Sequence, residues 1–311
     1  MKNDNLKGSL ILCLAALIWG LAFVAQSDAA DLVPPFLMNC LRSYISAIFL
    51  FFVLLIKNRG KSIPIIPKTA PERKIVLKGG LICGIMLAIS ANFQQFGIAF
   101  YPEDAAVEAH AGFITALYVI LVPIFSIFLK KKTPITVWLA VGVALIGFWL
   151  LCFANGIDGI YFGDVLVFFC AISFSFHILS VDSFVEAVGG IRLSMLQFVF
   201  CGTISGVLSL IFELSKIDLE NVFAASFQIL YLGIMSSGIA YTLQIIGQRY
   251  ARPAIASLSM SLESVFAALG GWLISGNLLS ANEFIGCALV FAAIVIAQLP
   301  PIKKPKRIED R

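Results

Sequence analysis

Ten apolar runs, each about 17–25 residues long, occupy most of the chain and leave few ways to fold it. They lie near residues 8–26, 34–56, 78–100, 105–129, 136–153, 163–181, 191–212, 225–248, 254–275 and 282–299. A helix rising about 1.5 Å per residue crosses bilayer hydrocarbon in that length, and inside hydrocarbon each backbone amide must find its partner within the protein. Helices meet that condition locally. Composition agrees, with 60% hydrophobic residues, 13% charged residues and a mean hydropathy of +0.97, where soluble domains carry about 25% charged residues. A soluble core of 311 residues could not hide this much apolar surface. The expectation is an all-α integral membrane protein with ten transmembrane helices, multi-pass in a cell (inner or plasma) membrane.

The connections carry the charge, and they carry it unevenly. With the N-terminus inside, the inner segments hold 20 of the 22 Lys and Arg residues: Lys2, Lys7, seven in 57–78, Lys130 to Lys132, Arg192, Arg249, Arg252 and five after residue 302. The outer segments keep Lys216 and a series of acids, Asp28, Asp31, Glu103, Asp104, Asp158, Asp218 and Glu220. This is a positive-inside pattern with both termini cytoplasmic. The net charge of +4 therefore reports topology and contact with membrane lipids, and no nucleic-acid partner is expected. Seven cysteines (13, 40, 83, 152, 170, 201, 287) are scattered through the apolar runs without a C-x-x-C pair and read as small packing groups. Lys2 and Lys7 before an apolar stretch and AQSDAAD also fit a cleaved signal peptide, a reading that the internal repeat opposes.

That repeat appears when the chain is compared with itself. At an offset of 155, GSLILCLAALIWGLAF (8–23) lies on GDVLVFFCAISFSFHI (163–178), placing Trp19 on Phe174, and residues 36–56 lie on 191–211. Further along, GIM 84–86 matches GIM 233–235, Gln94 and Gly97 fall on Gln244 and Gly247, LVPIF (121–125) on LESVF (262–266), and VGVAL (141–145) on IGCAL (285–289). Each half holds five helices, an odd number, so the halves enter the membrane from opposite sides. Two five-helix inverted-topology repeats are the architecture from which many secondary transporters build a midplane site.

The residues also resemble a known family. AALIWGLAFVAQ, LRSYISAIFL, GFITALYVILVPIF, YTLQIIGQRYARPAIASLSMSLESVFAALGGWLIS and EFIGCALVFAAIVIA, in that order over essentially the whole chain, resemble the drug/metabolite transporter superfamily, with two EamA-type repeats. The resemblance implies EamA-like five-helix repeats over 8–153 and 163–299, a basic cytoplasmic tail over 300–311, and a central cavity lined by helices 1, 3, 4, 6, 8 and 9. It implies export, or sometimes uptake, of amino acids, metabolites or drugs. Where the family commonly has Glu-Pro in helix 9, this chain has Glu263-Ser264; proline there would kink the helix, and a serine hydroxyl perturbs the backbone by a different route.

Glu263 is the leading candidate. It lies about eleven residues into its run, near the bilayer midplane at about 1.5 Å per residue, where a carboxyl group is expensive and by default functional. Ala256, Ser259, Ala267 and Gly270 share its face, with Ser257, Ser261 and Ser264 beside it. It reads either as an acid that binds substrate or a proton, or as a structural carboxyl bonded to its own helix. Its repeat partner is Val122. Arg42, two turns into helix 2 from the outside, could attract an anionic group, but the expectation is that it snorkels to the outer interface or pairs with Asp31. Its partner in the repeat is the uncharged Gln197.

Ser237, Tyr241, Gln244 and Gln248 form a polar stripe at i, i+4, i+7 and i+11 in helix 8, a face suited to protein or water rather than lipid. Asn92 and Gln95 repeat it more weakly in helix 3. Trp19, Phe174, Tyr118 and Tyr241 fall at mid-membrane depth in helices that the resemblance places around the cavity, where aromatic walls suit amphipathic ligands. The two histidines, His110 and His177, lie in different helices toward opposite faces, so no metal-ligand pair is expected; His177 is retained as a possible proton carrier. Gly80-x-x-x-Gly84 and Gly202-x-x-x-Gly206 read as close helix packing.

No H-E-x-x-H, G-x-S-x-G or P-loop is present, so no catalytic residues, no metal and no cofactor are expected. The expected function is a secondary transporter moving small metabolites, amino acids or amphipathic drugs by alternating access, with a small-molecule substrate and protons as candidate partners. The alternative is an integral-membrane enzyme or lipid-handling protein, which would require acids, histidines or serines clustered at one interface.

Overall fold

The structure, a computed structural model, describes residues 2–59, 67, 69–102, 107–130, 133–152, 160–275 and 280–299, and among them every regular element is helical. The expected tail at 300–311 lies outside the described residues. In chain order the long elements are α1 (Lys2–Ala30), α2 (Pro35–Asn58), α3 (Ala70–Ala99), α4 (Val107–Ala116), α5 (Tyr118–Phe128), α6 (Ile135–Cys152), α7 (Phe162–Val188) and α8 (Gly190–Phe212). They continue through short α9 (Leu219–Ala224), α10 (Ser226–Tyr231), α11 (Tyr241–Gln248), α12 (Pro253–Met260), α13 (Leu262–Ser275) and α14 (Ala281–Ala297). A 3-10 turn (Leu214–Lys216) follows α8, and a π-helix (Leu232–Ala240) joins α10 to α11.

Among the described residues, seven stretches are long and apolar enough to cross a bilayer, and three shorter apolar helices, Ile135–Leu151, Pro253–Leu269 and Ala281–Ala297, accompany them. The protein is a multi-pass membrane protein. Large apolar side chains such as Ile48, Phe52, Ile56, Phe128, Leu210 and Phe227 are exposed on its outside, which suits contact with lipid rather than water.

Helix boundaries follow local chemistry. Pro35 and Pro253 stand at the starts of α2 and α12, where a missing N–H costs nothing. Ser280 and Glu283 form a capping box on α14, and at the start of α7 the Asp164 carboxylate accepts from the Tyr161 N–H at 2.8 Å. Between α7 and α8 the chain reverses on Gly189, whose φ of 84° favours glycine over any side-chain-bearing residue.

The main packing pairs each join a helix before residue 153 to one after 161: α2 with α8, α3 with α7, α6 with α14, and α1 with α12 and α13. Small residues set these distances. Gly97 meets Gly163 and Val167, Gly147 meets Gly286 and Val290, and the expected motif glycines do likewise, Gly80 and Gly84 against Leu196 and Phe200, Gly202 and Gly206 against Ser43 and Cys40. Gly20 seats α1 against the helix that carries Glu263. A Cβ there would lie 2.7 Å from Phe266 Cβ and 2.8 Å from Glu263 O and Ala267 N. Gly20→Ala is therefore expected to push α1 off α13 and cost about 1–3 kcal/mol. Thermal unfolding in detergent checks this, and an unchanged midpoint would rule out the tight contact.

Candidate functional site

A cavity lies where these cross-chain pairs converge. From the first part of the chain its walls take Trp19, Phe23 and Gln26 of α1, Arg42 of α2, Gln94 of α3, Thr115 of α4 and Tyr118 of α5. From the second they take Phe174 and Ile178 of α7, Ser236 of the π-helix, Tyr241 and Gln244 of α11, Met260 of α12 and Glu263 of α13. The centre of a water-sized sphere can occupy about 40 Å³ of it, room for a few waters and well short of a drug-sized ligand.

Glu263 faces this cavity at 6% exposure and accepts a hydrogen bond from the Tyr118 hydroxyl at 3.0 Å. Breaks in both helices present the pair. The run holding Tyr118 is interrupted at Leu117 (ψ −15°), in the same stretch as the internal Pro123, whose ring nitrogen has no N–H to donate to the preceding turn. The run holding Glu263 is interrupted at Ser261 (ψ −7°), whose hydroxyl bonds Leu258 O at 2.8 Å while Ser257 bonds Ala254 O at 3.0 Å. The discontinuity thus arises without proline, from serines diverting backbone carbonyls. Ser264, at the position where the family commonly has proline, donates to Gly112 O at 3.0 Å and pins α13 to α4.

Arg42 corrects the sequence expectation. It is 5% exposed, lines the cavity, and its Nη1 donates to Gln26 Oε1 at 3.1 Å. It does not snorkel, because α2 packs with that face against the bundle, between α8 and the π-helix. Among the described residues no ion pair joins Arg42 to Glu263 or to Asp31. The cavity therefore holds one cation and one acid that do not neutralise each other.

All four aromatic candidates line the cavity. Trp19 and Tyr241 meet edge to face at 4.8 Å, Phe174 stacks on Tyr241 at 6.4 Å, and the Trp19 indole N–H donates to Ser236 O at 3.2 Å.

The polar stripes are shifted by one residue from their expected phase. In the π-helix hydrogen bonds run from i to i+5, so Ser236, five residues before Tyr241, faces the cavity, and Ser237 is buried away from it. Gln244 lines the wall as expected, and Gln248 instead bonds Ile178 O at 3.0 Å. On α3 the wall residue is Gln94, bonded to Thr115 at 3.4 Å, in place of Gln95. Asn92 belongs to a structural seam, accepting from Asn39 at 2.8 Å and donating to Ser205 at 3.0 Å. His177 sits behind the wall, 3.0 Å from Gln197 Oε1 and 6.1 Å from the Tyr241 ring, and so braces the aromatic face without lining it.

Gln26, Phe23, Thr115, Ile178, Met260, Gln94 and Ser236 complete the wall and were not singled out by sequence. The repeat held a signal for some of them: Trp19 with Phe174, Phe23 with Ile178, and Gln94 with Gln244 are matched pairs, and every member faces the cavity. The second histidine, His110, lies at one end of the bundle with its Nδ1 3.0 Å from Asp164, which also accepts the Tyr101 hydroxyl at 2.8 Å. Burial, then the bond to Asp164, holds the Tyr101 phenol above its ordinary range, so Tyr101 is the donor.

Comparison with known proteins gives a consistent picture. The model of the EamA-like transporter family matches residues 6–153 and 161–298. An uncharacterized transporter of Archaeoglobus fulgidus is 28% identical over 299 residues, covering 95% of this chain and 87% of the relative. The uncharacterized inner membrane transporter YedA of Escherichia coli is 24% identical over 287 residues, covering 91% and 88%. A solved structure, described as "Crystal structure of protein", shares the fold with a TM-score of 0.72 at 21% identity, covering 94% of this chain and 96% of its own.

Proposed function

We infer, since the chain belongs to the EamA-like transporter family, that this membrane transporter is a secondary transporter carrying small solutes through the central cavity by alternating access. Ten spanning helices in two inverted five-helix repeats, 8–153 and 163–299, with cytoplasmic termini, accommodate the match of the family to both stretches. The charge distribution supports the orientation. Lys7, Lys57, Arg59, Lys130, Arg192 and Arg249 gather at one end of the bundle, and Asp28, Asp31, Asp218 and Glu220 at the other. The inner membrane named for the Escherichia coli relative is the corresponding location here.

The observation that carries the reading is the unneutralised pair, Arg42 and Glu263, in one aromatic-walled cavity. Such a site complements a solute with an anionic group, a cationic group and an apolar body, which favours amino acids over polyanions. Arg42 would take the carboxylate, Glu263 the ammonium or a proton, and Trp19, Phe174 and Tyr241 the apolar part and the cation's face. The narrowness of the cavity requires its walls to part for binding, as a site that alternates between two faces must.

Proteoliposomes test this. Counterflow of labelled amino acids, with and without a pH gradient and beside amine-only and acid-only solutes, is expected to show saturable uptake of the zwitterions. Folded protein that passes none of these solutes faster than empty liposomes would refute the reading.

A further inference from the structure

The two ends of the bundle are fastened by different chemistry. At the acidic end, the first turn of α2 has few ways to satisfy its amides. Pro34 offers no capping side chain, Pro35 has no N–H, and Met38 N–H donates to Pro34 O at 2.9 Å. The remaining donors, Phe36 N–H and Leu37 N–H, each donate at 2.9 Å to one carboxylate oxygen of Glu213. Glu213 closes α8 and is 4% exposed. It therefore caps, from the second half of the chain, a helix of the first half.

A second carboxylate works at the same end. Asp164 in the first turn of α7 lies 3.0 Å from His110 Nδ1 of α4, and accepts from the Tyr101 hydroxyl just beyond α3 at 2.8 Å. Its other oxygen takes the Tyr161 N–H at 2.8 Å, which holds the carboxylate in place. Both clasps thus run between the two halves.

At the basic end the matching positions are neutral. The offset of 155 puts Ser9 opposite Asp164, and Ser9 accepts from Ser259 at 2.9 Å and Gln298 at 2.6 Å. The same offset puts Asn58 opposite Glu213. Within the second half, Gln248 donates to Ile178 O and Arg249 pairs with Glu186, at 50% and 66% exposure; neither contact joins the two halves. Charge-assisted hydrogen bonds are roughly twice as strong as neutral ones, and exposed ion pairs contribute little.

We propose that Glu213 and Asp164 are the clasps of a gate at the acidic end of the bundle, so that the cavity opens there only when both carboxylates release their first-half partners. At the basic end the position matched to Asp164 offers a neutral hydroxyl in place of a carboxylate, beside a cation–π contact of Lys7 over the Tyr250 ring at 4.3 Å. The gate rests on the transporter reading, and it assigns Glu213 and Asp164 a positioning role that neither plays by touching a solute.

A single cysteine in the cavity tests it without knowledge of the solute. With the seven native cysteines replaced, Ser236→Cys reports access from each end to a membrane-impermeant maleimide, and Lys216→Cys in a separate variant identifies the acidic end. Glu213→Gln keeps the size but can accept on one oxygen only; Asp164→Asn does the same, and Tyr101→Phe removes a single donor. Each carboxamide variant is expected to raise labelling from the acidic end about tenfold, the Tyr101→Phe variant less, and Glu213→Asp to stay near the parent. Labelling from the basic end should not rise. Unchanged labelling from the acidic end overturns the proposal, and so does an equal rise from both ends, which would mean a loosened fold. A parent unlabelled from either end would sink the transporter reading itself, and the gate with it.

Discussion

Glu263→Gln is expected to lower transport about a hundredfold while leaving the protein folded. Glutamine has nearly the same shape and keeps an oxygen that can accept the Tyr118 hydroxyl, now 3.0 Å from Glu263. What it loses is the charge, and with it the ability to pair with a cationic group or to take up a proton. Losing one partner of a buried, hydrogen-bonded charge pair costs about 2–5 kcal/mol, and about 1.4 kcal/mol is a factor of ten. Flux in proteoliposomes, with the unfolding midpoint measured on the same preparation, decides the matter. A folded variant that retains wild-type flux and its pH dependence would leave Glu263 as a structural carboxyl. Tyr118→Phe separates the two roles further, since it removes the bond to Glu263 and keeps the acid.

Arg42→Leu is expected to weaken solutes bearing a carboxylate by about ten- to a hundredfold, with amine-only solutes little affected. Leucine fills much of the volume and leaves Gln26 Oε1 without its donor at 3.1 Å, so some loss of stability accompanies the change. A snorkelling arginine at the interface would behave differently, since surface substitutions usually stay within about 0.5 kcal/mol and would not discriminate between solutes. Competition by amino acids, their amides and their decarboxylated amines against one labelled substrate measures the difference. Equal weakening of all three would remove Arg42 from the binding role.

The two charged groups were legible to different degrees, for a physical reason. A lone acid among apolar and small residues marks itself at any helix rotation, because no lipid-facing position suits it. Arg42 did not mark itself in that way. A long cationic side chain near a helix end can reach the interface or the bundle interior equally well, and only the packing of α2 against α8 and the π-helix selects the interior.

The apolar runs, the serines around Glu263, the asymmetric charge and the match of the chain to itself are local or compositional, and each was legible in the order of residues alone. They determine an all-helical membrane protein, the isolation of its acid in an apolar run, and its family. Rotational phase was decided elsewhere. Successive helical residues turn by about 100°, so a shift of one position moves a group from a cavity wall to a seam. The choice of Gln94 over Gln95 is set by how α3 seats on α7 and α8, and that of Ser236 over Ser237 by a π-helical stretch that no periodicity of 3.6 anticipates. The clasps of Glu213 and Asp164 join residues far apart in the chain. Those pairings exist only because the two halves fold into each other, where burial lets a carboxylate be worth more to a distant amide or hydroxyl than to water.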